Sequence, residues 1–200
     1  MATSKAQNTK LYIIRQAAQL FNQKGYAGSS IADIMQATGL KKGGIYNHFK
    51  SKDDLAIQAF DYAASLVQKQ VLDAVRQEKH SVKKLQALIK VHLNYLNNPP
   101  LPGGCPIMNT AIESDDAYPI LRDRAQLAMD EWHKLIIRIV QKGIAKKQIK
   151  PQTDPETVAS FIISAIEGAI MLSKLYQDAA HLKRVIQSLN EYISSLACDY

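Results

Sequence analysis

The chain has 200 residues, 46% of them hydrophobic and 22% charged, with a net charge of +7. That is ordinary globular composition, enough for one large domain or two small ones. No apolar run reaches the ~18 residues of a membrane span, and the start "MATSKAQNTK" lacks the apolar stretch of a secretory signal. The expected setting is therefore the cytoplasm, without a membrane partner. Two cysteines, Cys105 and Cys198, suit a reducing compartment, and with five scattered histidines they make no zinc-ligand spacing. No metal and no cofactor is expected.

The charge is not spread evenly. Residues 1–52 carry Lys5, Lys10, Arg15, Lys24, Lys41, Lys42, Lys50 and Lys52 against Asp33 alone, while the 17 basic and 17 acidic residues of 53–200 cancel. A single basic run is usually just a solvated face. Confinement of the whole excess to the first quarter favours a polyanion partner for that part.

In chain order, residues 9–24 place Leu11, Ile14, Ala18 and Phe21 on one helical face. Thr9 is a candidate cap at its start and Gly25 a left-handed stop at its end. A second helix follows in "SSIADIMQATG", where Ser30 and Asp33 approximate a capping box and Ile31, Ile34 and Met35 are apolar. Gly39 marks a tight turn, and "LKKGGIYNHF" supplies a very short third helix. Helix, turn and helix in this order make a helix-turn-helix, whose second member belongs in a DNA major groove.

Six more helices are expected. They start with one from Ser51 to about Lys79, opened by Asp53 and Asp54, and one from Ser81 to about Leu96. "NNPPLPGGCP" then interrupts the pattern. Further helices run from Pro106 to Ser114, Pro119 to about Lys147, Asp154 to about Tyr176, and Asp178 to about Ala197. No segment alternates as a half-buried strand does, so the fold class is all-α. Residues 1–52 form a DNA-binding domain, and 53–200 a helical body for effector binding and dimerisation.

Residues 17–55, "AAQLFNQKGYAGSSIADIMQATGLKKGGIYNHFKSKDDL", resemble the TetR/AcrR (tetracycline-repressor) family of bacterial transcription regulators. They carry F-x-x-x-G-Y and G-x-x-Y-x-H-F-x-x-K in order at the family's spacing. The stretch "GGCPIMNTAIE", residues 103–113, is similar to one C-terminal variant of the family. The resemblance implies a repressor that binds a double-stranded palindromic operator as a homodimer, responds to a small molecule and is not an enzyme. The residues agree with the last point: there is no phosphate loop, nucleophile elbow or paired catalytic carboxylates.

The expected DNA contacts are Ser30, Lys41, Lys42, Gly43, Gly44, Tyr46, His48 and Lys52. Lys41 and Lys42 open the recognition helix, and the Tyr46 hydroxyl suits a phosphate oxygen. The resemblance implies backbone contacts for Tyr46, His48 and Lys52 and close approach to DNA at Gly43. Gly44 departs from the family, where Ser, Thr or Ala is usual; it offers no side chain and weakens the helix by about 1 kcal/mol relative to Ala.

Tyr62, His92, Tyr95, Cys105, Met108, Trp132, Phe161 and Met171 are candidates to line a mainly apolar effector pocket. Most residues of such types at helical spacing simply fill a core. Cys105, between a double glycine and Pro106, sits at a helix N-terminus that stabilises a thiolate, so an alternative is a redox- or electrophile-sensing repressor. The competing reading is a small packed side chain. The last two helices carry broad apolar stripes. The expected dimer interface is Phe161, Ile162, Ala165, Ile166 and Ala169 with Leu182, Val185, Leu189 and Ile193.

Overall fold

A computed structural model describes residues 2–95 and 98–198, the side chains of residues 2–4 and 94 excepted. Nine α-helices occur among them: α1 (Ala2–Lys24), α2 (Ile31–Thr38), α3 (Lys42–Tyr46), α4 (Lys52–Arg76), α5 (Ser81–Lys90), α6 (Pro106–Ser114), α7 (Pro119–Ala145), α8 (Pro155–Leu175) and α9 (Ala180–Ser195). The described residues hold no strand beyond an isolated antiparallel bridge between Ile149 and Ala197. The all-α expectation holds.

Most helix ends follow the expected chemistry. Ser30 caps α2: its hydroxyl accepts from the Asp33 N–H at 3.1 Å, and the Asp33 carboxylate accepts from the Ser30 N–H at 2.8 Å. The Ser30 hydroxyl and then the Ser30 N–H, both donating to that carboxylate, with Lys24 beside it, hold the Asp33 carboxyl down from 3.8 to about 2. Gly39 stops α2 at φ 69°, its N–H returning to Met35 O at 2.9 Å. Asp154 caps α8 through Glu156 and Thr157, with Pro155 in the first turn.

Two ends differ from the expectation. Thr9 does not cap α1, which begins at Ala2; its hydroxyl donates to Lys5 O at 3.0 Å, the back-bond of a mid-helix threonine. α5 stops at Lys90 and tightens into a 3-10 turn, Val91–Asn94. The expected end at Leu96 lies outside the described residues.

Packing groups the helices into two compact units, 1–66 with 101–127, and 67–100 with 128–200. In the first, Ile13, Ala17, Ala18, Ile34, Ile45, Phe49, Leu55, Ala59 and Ala63 form one buried cluster with Leu101. The inward face of α1 is wider than the one expected: Ala18 is buried and Ile14 and Phe21 pack on the cluster as expected, Ile13 and Ala17 join them, and Leu11 is exposed. In the second, α8 packs mainly on α9 and α5 also on α9.

That packing corrects the expected interface. Ile162, Ile166, Ala169, Leu182, Leu189 and Ile193 are buried within their own chain. A sequence stripe says only that a helix buries a face, not against which chain. Phe161, Ala165 and Val185 keep exposed surface. The outward side of α8 also carries Gly168, Met171 and Leu175, spaced by three and four. By length and composition α8 could cross a membrane, but half of it is buried inside the fold, as in a core helix.

α3 has only five residues, two of them glycine. A Cβ on Gly43 would meet nothing within 4 Å, and one on Gly44 would make an ordinary 3.6 Å contact with Leu40. Neither has the positive φ that requires glycine. Gly44→Ala is therefore expected to raise stability by roughly 0.5–1 kcal/mol, seen as a higher urea midpoint at unchanged m. A lowered midpoint would show that α3 is strained in a way its backbone angles do not reveal.

Candidate nucleic-acid interface

The segment from Gly39 to Phe49 is sorted by burial. Ile45 and Phe49 enter the core of the first unit, while Lys41, Lys42, Gly43, Tyr46 and Asn47 face outward. A five-residue helix is far too short to hold itself together; these two anchors and the left-handed Gly39 turn fix it. Lys42 Nζ lies 5.9 Å from the centre of the Tyr46 ring, a weak cation–π pair one helical turn apart. The outer surface thus combines two ammonium groups, a phenol and two glycines that permit close approach of a large ligand.

The other expected contacts divide. Ser30 is exposed, but its hydroxyl already serves the α2 cap. His48 is half-buried with its ring 6.4 Å from that of Phe49. Lys52 is not a free arm: Nζ donates to Tyr26 O at 2.6 Å and sits 3.9 Å from the centre of the Tyr26 ring. Burial pushes its pKa down, opposed by Asp53, Glu113 and Asp33. Asn47, missed in the sequence reading, is exposed between Tyr46 and His48. Its signal was available, since an amide on an outward helix end is a base-reading group.

The expected effector residues do not form one lining. Tyr62 packs against the core of the first unit, which also contains Cys105 and Met108. Phe161 and Met171, 48% and 44% exposed, lie on the surface of α8. A recess in the first unit is walled by other residues, among them Phe21, Tyr26, Phe60, Thr110, Glu113 and Tyr118; its volume is about 30 Å³.

His92, Tyr95 and Trp132 come together. The His92 ring stacks on Tyr95 at 5.4 Å and on Trp132 at 5.6 Å, within the second unit. His92 Nδ1 and Trp132 Nε1 are buried and have no hydrogen-bond partner among the described residues. Burial pushes the His92 imidazole down from 6.5 to about 4, against the pull of the Ile89 and Leu88 carbonyls.

A glycine-turned pair of short helices with a cationic outer surface, carried on an all-α chain, defines a helix-turn-helix protein. The comparisons give the family. Residues 13–59 match the model of bacterial regulatory proteins of the tetR family, and residues 81–189 that of the tetracyclin repressor-like C-terminal domain. The chain belongs to the TetR family of transcription regulators. A TetR transcriptional regulator from Chloroflexus aurantiacus J-10-FL is 46% identical, with a TM-score of 0.94 over 97% of this chain and 98% of that one. The transcriptional repressor DhaR of Mycobacterium sp. (strain GP1) is 24% identical over 88% of this chain and 87% of its own. The regulator CifR, solved with a 26 bp operator duplex, shares the fold at 20% identity and a TM-score of 0.81, over 90% and 93% of the two chains.

The buried neutral imidazole carries a pH prediction. Because its folded pKa lies below the ordinary 6.5, its contribution is complete above 6.5 and is lost as pH falls towards about 4. Stability of the wild-type chain is expected to drop across that window, and His92→Phe to flatten the drop. Urea midpoints at several pH values check it. An equal drop in both proteins would place the acid sensitivity elsewhere.

Proposed function

We propose that this chain is a repressor that binds a palindromic operator as a homodimer and releases it when a small, mainly apolar effector binds. Residues 1–52 read the DNA, and 53–200 bind the effector and pair the chains, in the cytoplasm. The outward surface of α3 carries the reading: Lys41, Lys42 and Tyr46 are exposed together over Ile45 and Phe49. Ammonium groups and the Tyr46 hydroxyl suit phosphates, Asn47 suits an adenine edge, and Gly43 and Gly44 let the backbone approach. Ser30, His48 and Lys52 flank this surface; Lys52 reaches a phosphate only by leaving Tyr26. CifR, a TetR family transcriptional regulator with the same fold, is complexed with operator DNA as a cysteine mutant, which supports the same use here.

Pairing of chains is supported by the outward side of α8. Gly168 costs a helix about 1 kcal/mol relative to Ala, yet a Cβ there would meet nothing within 4 Å in its own chain. A second chain packed closely on Phe161, Ala165, Gly168, Met171 and Leu175, with Val185 of α9, explains that glycine. The effector reading rests on His92 Nδ1 and Trp132 Nε1, two buried polar groups that a flat, weakly polar molecule would satisfy. Thiol sensing at Cys105 is the alternative. The cysteine is 2% exposed, which favours packing, and Cys105→Ser separates the readings, since only a thiol sensor loses its response to electrophiles.

Lys41→Ala is expected to weaken operator binding and to lower the salt slope by about one. Tyr46→Phe is expected to weaken it by roughly 0.5–1.5 kcal/mol, one hydrogen bond. Fluorescence anisotropy across a salt series checks both, and unchanged affinity in two folded variants would remove α3 from the interface. In sedimentation, Gly168→Leu is expected to give folded monomers, because the new side chain fills the close approach. An unchanged dimer would move the interface off α8.

A further inference from the structure

The stretch "GGCPIMNTAIE", 103–113, lies within the match to the C-terminal family model, yet it packs in the first unit with the DNA-reading helices. What fastens it there is a set of polar bonds to the end of α1. Asn22 Nδ2 donates to the carbonyls of Pro102 at 2.9 Å and Gly104 at 3.1 Å. Asn109 Nδ2 in turn lies 2.9 Å from Asn22 Oδ1 and 3.0 Å from Gly103 O. Gly103 has φ 115°, and a Cβ on it would stand 2.4 Å from the Asn22 carbonyl oxygen, so only glycine fits.

One turn further along α6, the two oxygens of Glu113 accept the N–H groups of Tyr26 and Ala27, each at 2.8 Å. A Cβ on Gly25, at φ 79°, would lie 2.7 Å from the same carboxylate. Tyr26 carries the contact onward. Its carbonyl and ring hold Lys52, its hydroxyl donates to Asp53, and its ring meets Tyr118 edge-on at 4.8 Å. Four residues after Tyr26, Ser30 opens α2.

We propose that Asn109 and Glu113 are positioning residues for DNA recognition. Spaced four apart on one side of α6, they fix the turn at Gly25–Ala27, and through it set the pose of α2 and α3 and the hold on Lys52. This rests on the DNA-binding reading above. Displacing α6 strands two backbone N–H groups and a carboxylate at once, so the seat of α6 and the conformation of the turn change together. Linkage is reciprocal: whatever α6 does to operator affinity, the operator does to the seating of α6.

The test uses the full-length chain and the duplex that wild type selects from a random-sequence library, with amide hydrogen exchange and binding as readouts. Glu113→Gln, which keeps the size of the side chain, and Asn109→Ala are expected to speed exchange at Tyr26 and Ala27 by about tenfold or more. They are expected to weaken operator binding by about 5- to 100-fold. In wild type, the duplex is expected to slow exchange across 103–114, and in Glu113→Gln that response is lost. A merely structural role would lower the melting temperature while leaving affinity and the exchange response intact, and that result overturns the proposal. So does unchanged exchange at Tyr26 and Ala27. Wild type selecting no duplex at all would instead overturn the DNA-binding reading, an outcome distinct from wild type and variants binding alike.

Discussion

The burial of Ile45 and Phe49 is the constraint on which the recognition surface depends. A helix of five residues makes hardly any backbone bonds of its own, and two of the five are glycine. It exists because its two apolar anchors complete a core with Ile13, Ala17, Ile34 and Leu55. The same anchoring determines what is left outside, since residues that do not point inward on so short a helix must point out. Lys41, Lys42 and Tyr46 are presented together because Ile45 and Phe49 are not.

The surrounding devices all serve to fix the entry and exit of that helix. The Ser30–Asp33 box starts α2 at a defined residue, Gly39 ends it at a left-handed step, and Leu40 leads straight into α3. On the far side, Glu113 holds the turn that precedes α2, and Asn109 holds Asn22 near the end of α1. The helices proposed to read DNA are thereby packed with sequence from the C-terminal family match, so the unit that packs together is larger than the 1–52 segment proposed to touch DNA. The outer side of α3 makes few contacts of its own, which is what a surface kept for another molecule requires.

Local chemistry was readable from the sequence and long-range partnership was not. The Ser30 cap, the Gly25 and Gly39 stops and the span of α6 from Pro106 to Ser114 follow from signals a few residues wide, and the structure has them as expected. Thr9 misled because a threonine offers the same hydroxyl to a cap or to the preceding turn. The stripes of α8 and α9 were visible, but periodicity cannot distinguish a chain's own core from a partner's surface, so Ile162, Ile166 and Leu189 were assigned outward when they are buried. Lys52 looked like a free cation because nothing near it in sequence reveals Tyr26 as its acceptor. Asn22, Asn109 and Glu113 could not be read at all: the bonds they make between residues 22–27 and residues 102–113 span 80 residues or more. Of the eight scattered effector candidates, folding stacked His92, Tyr95 and Trp132 on one another.

Two copies of this chain are proposed to present their α3 helices to one duplex. The most direct measurement is selection from a random-sequence duplex library by the full-length chain, followed by sedimentation of the complex. An enriched inverted repeat is expected, its half-sites roughly one helical turn or a multiple apart, carrying chains in even number. An enriched sequence without twofold symmetry, or a single chain bound per duplex, would contradict it.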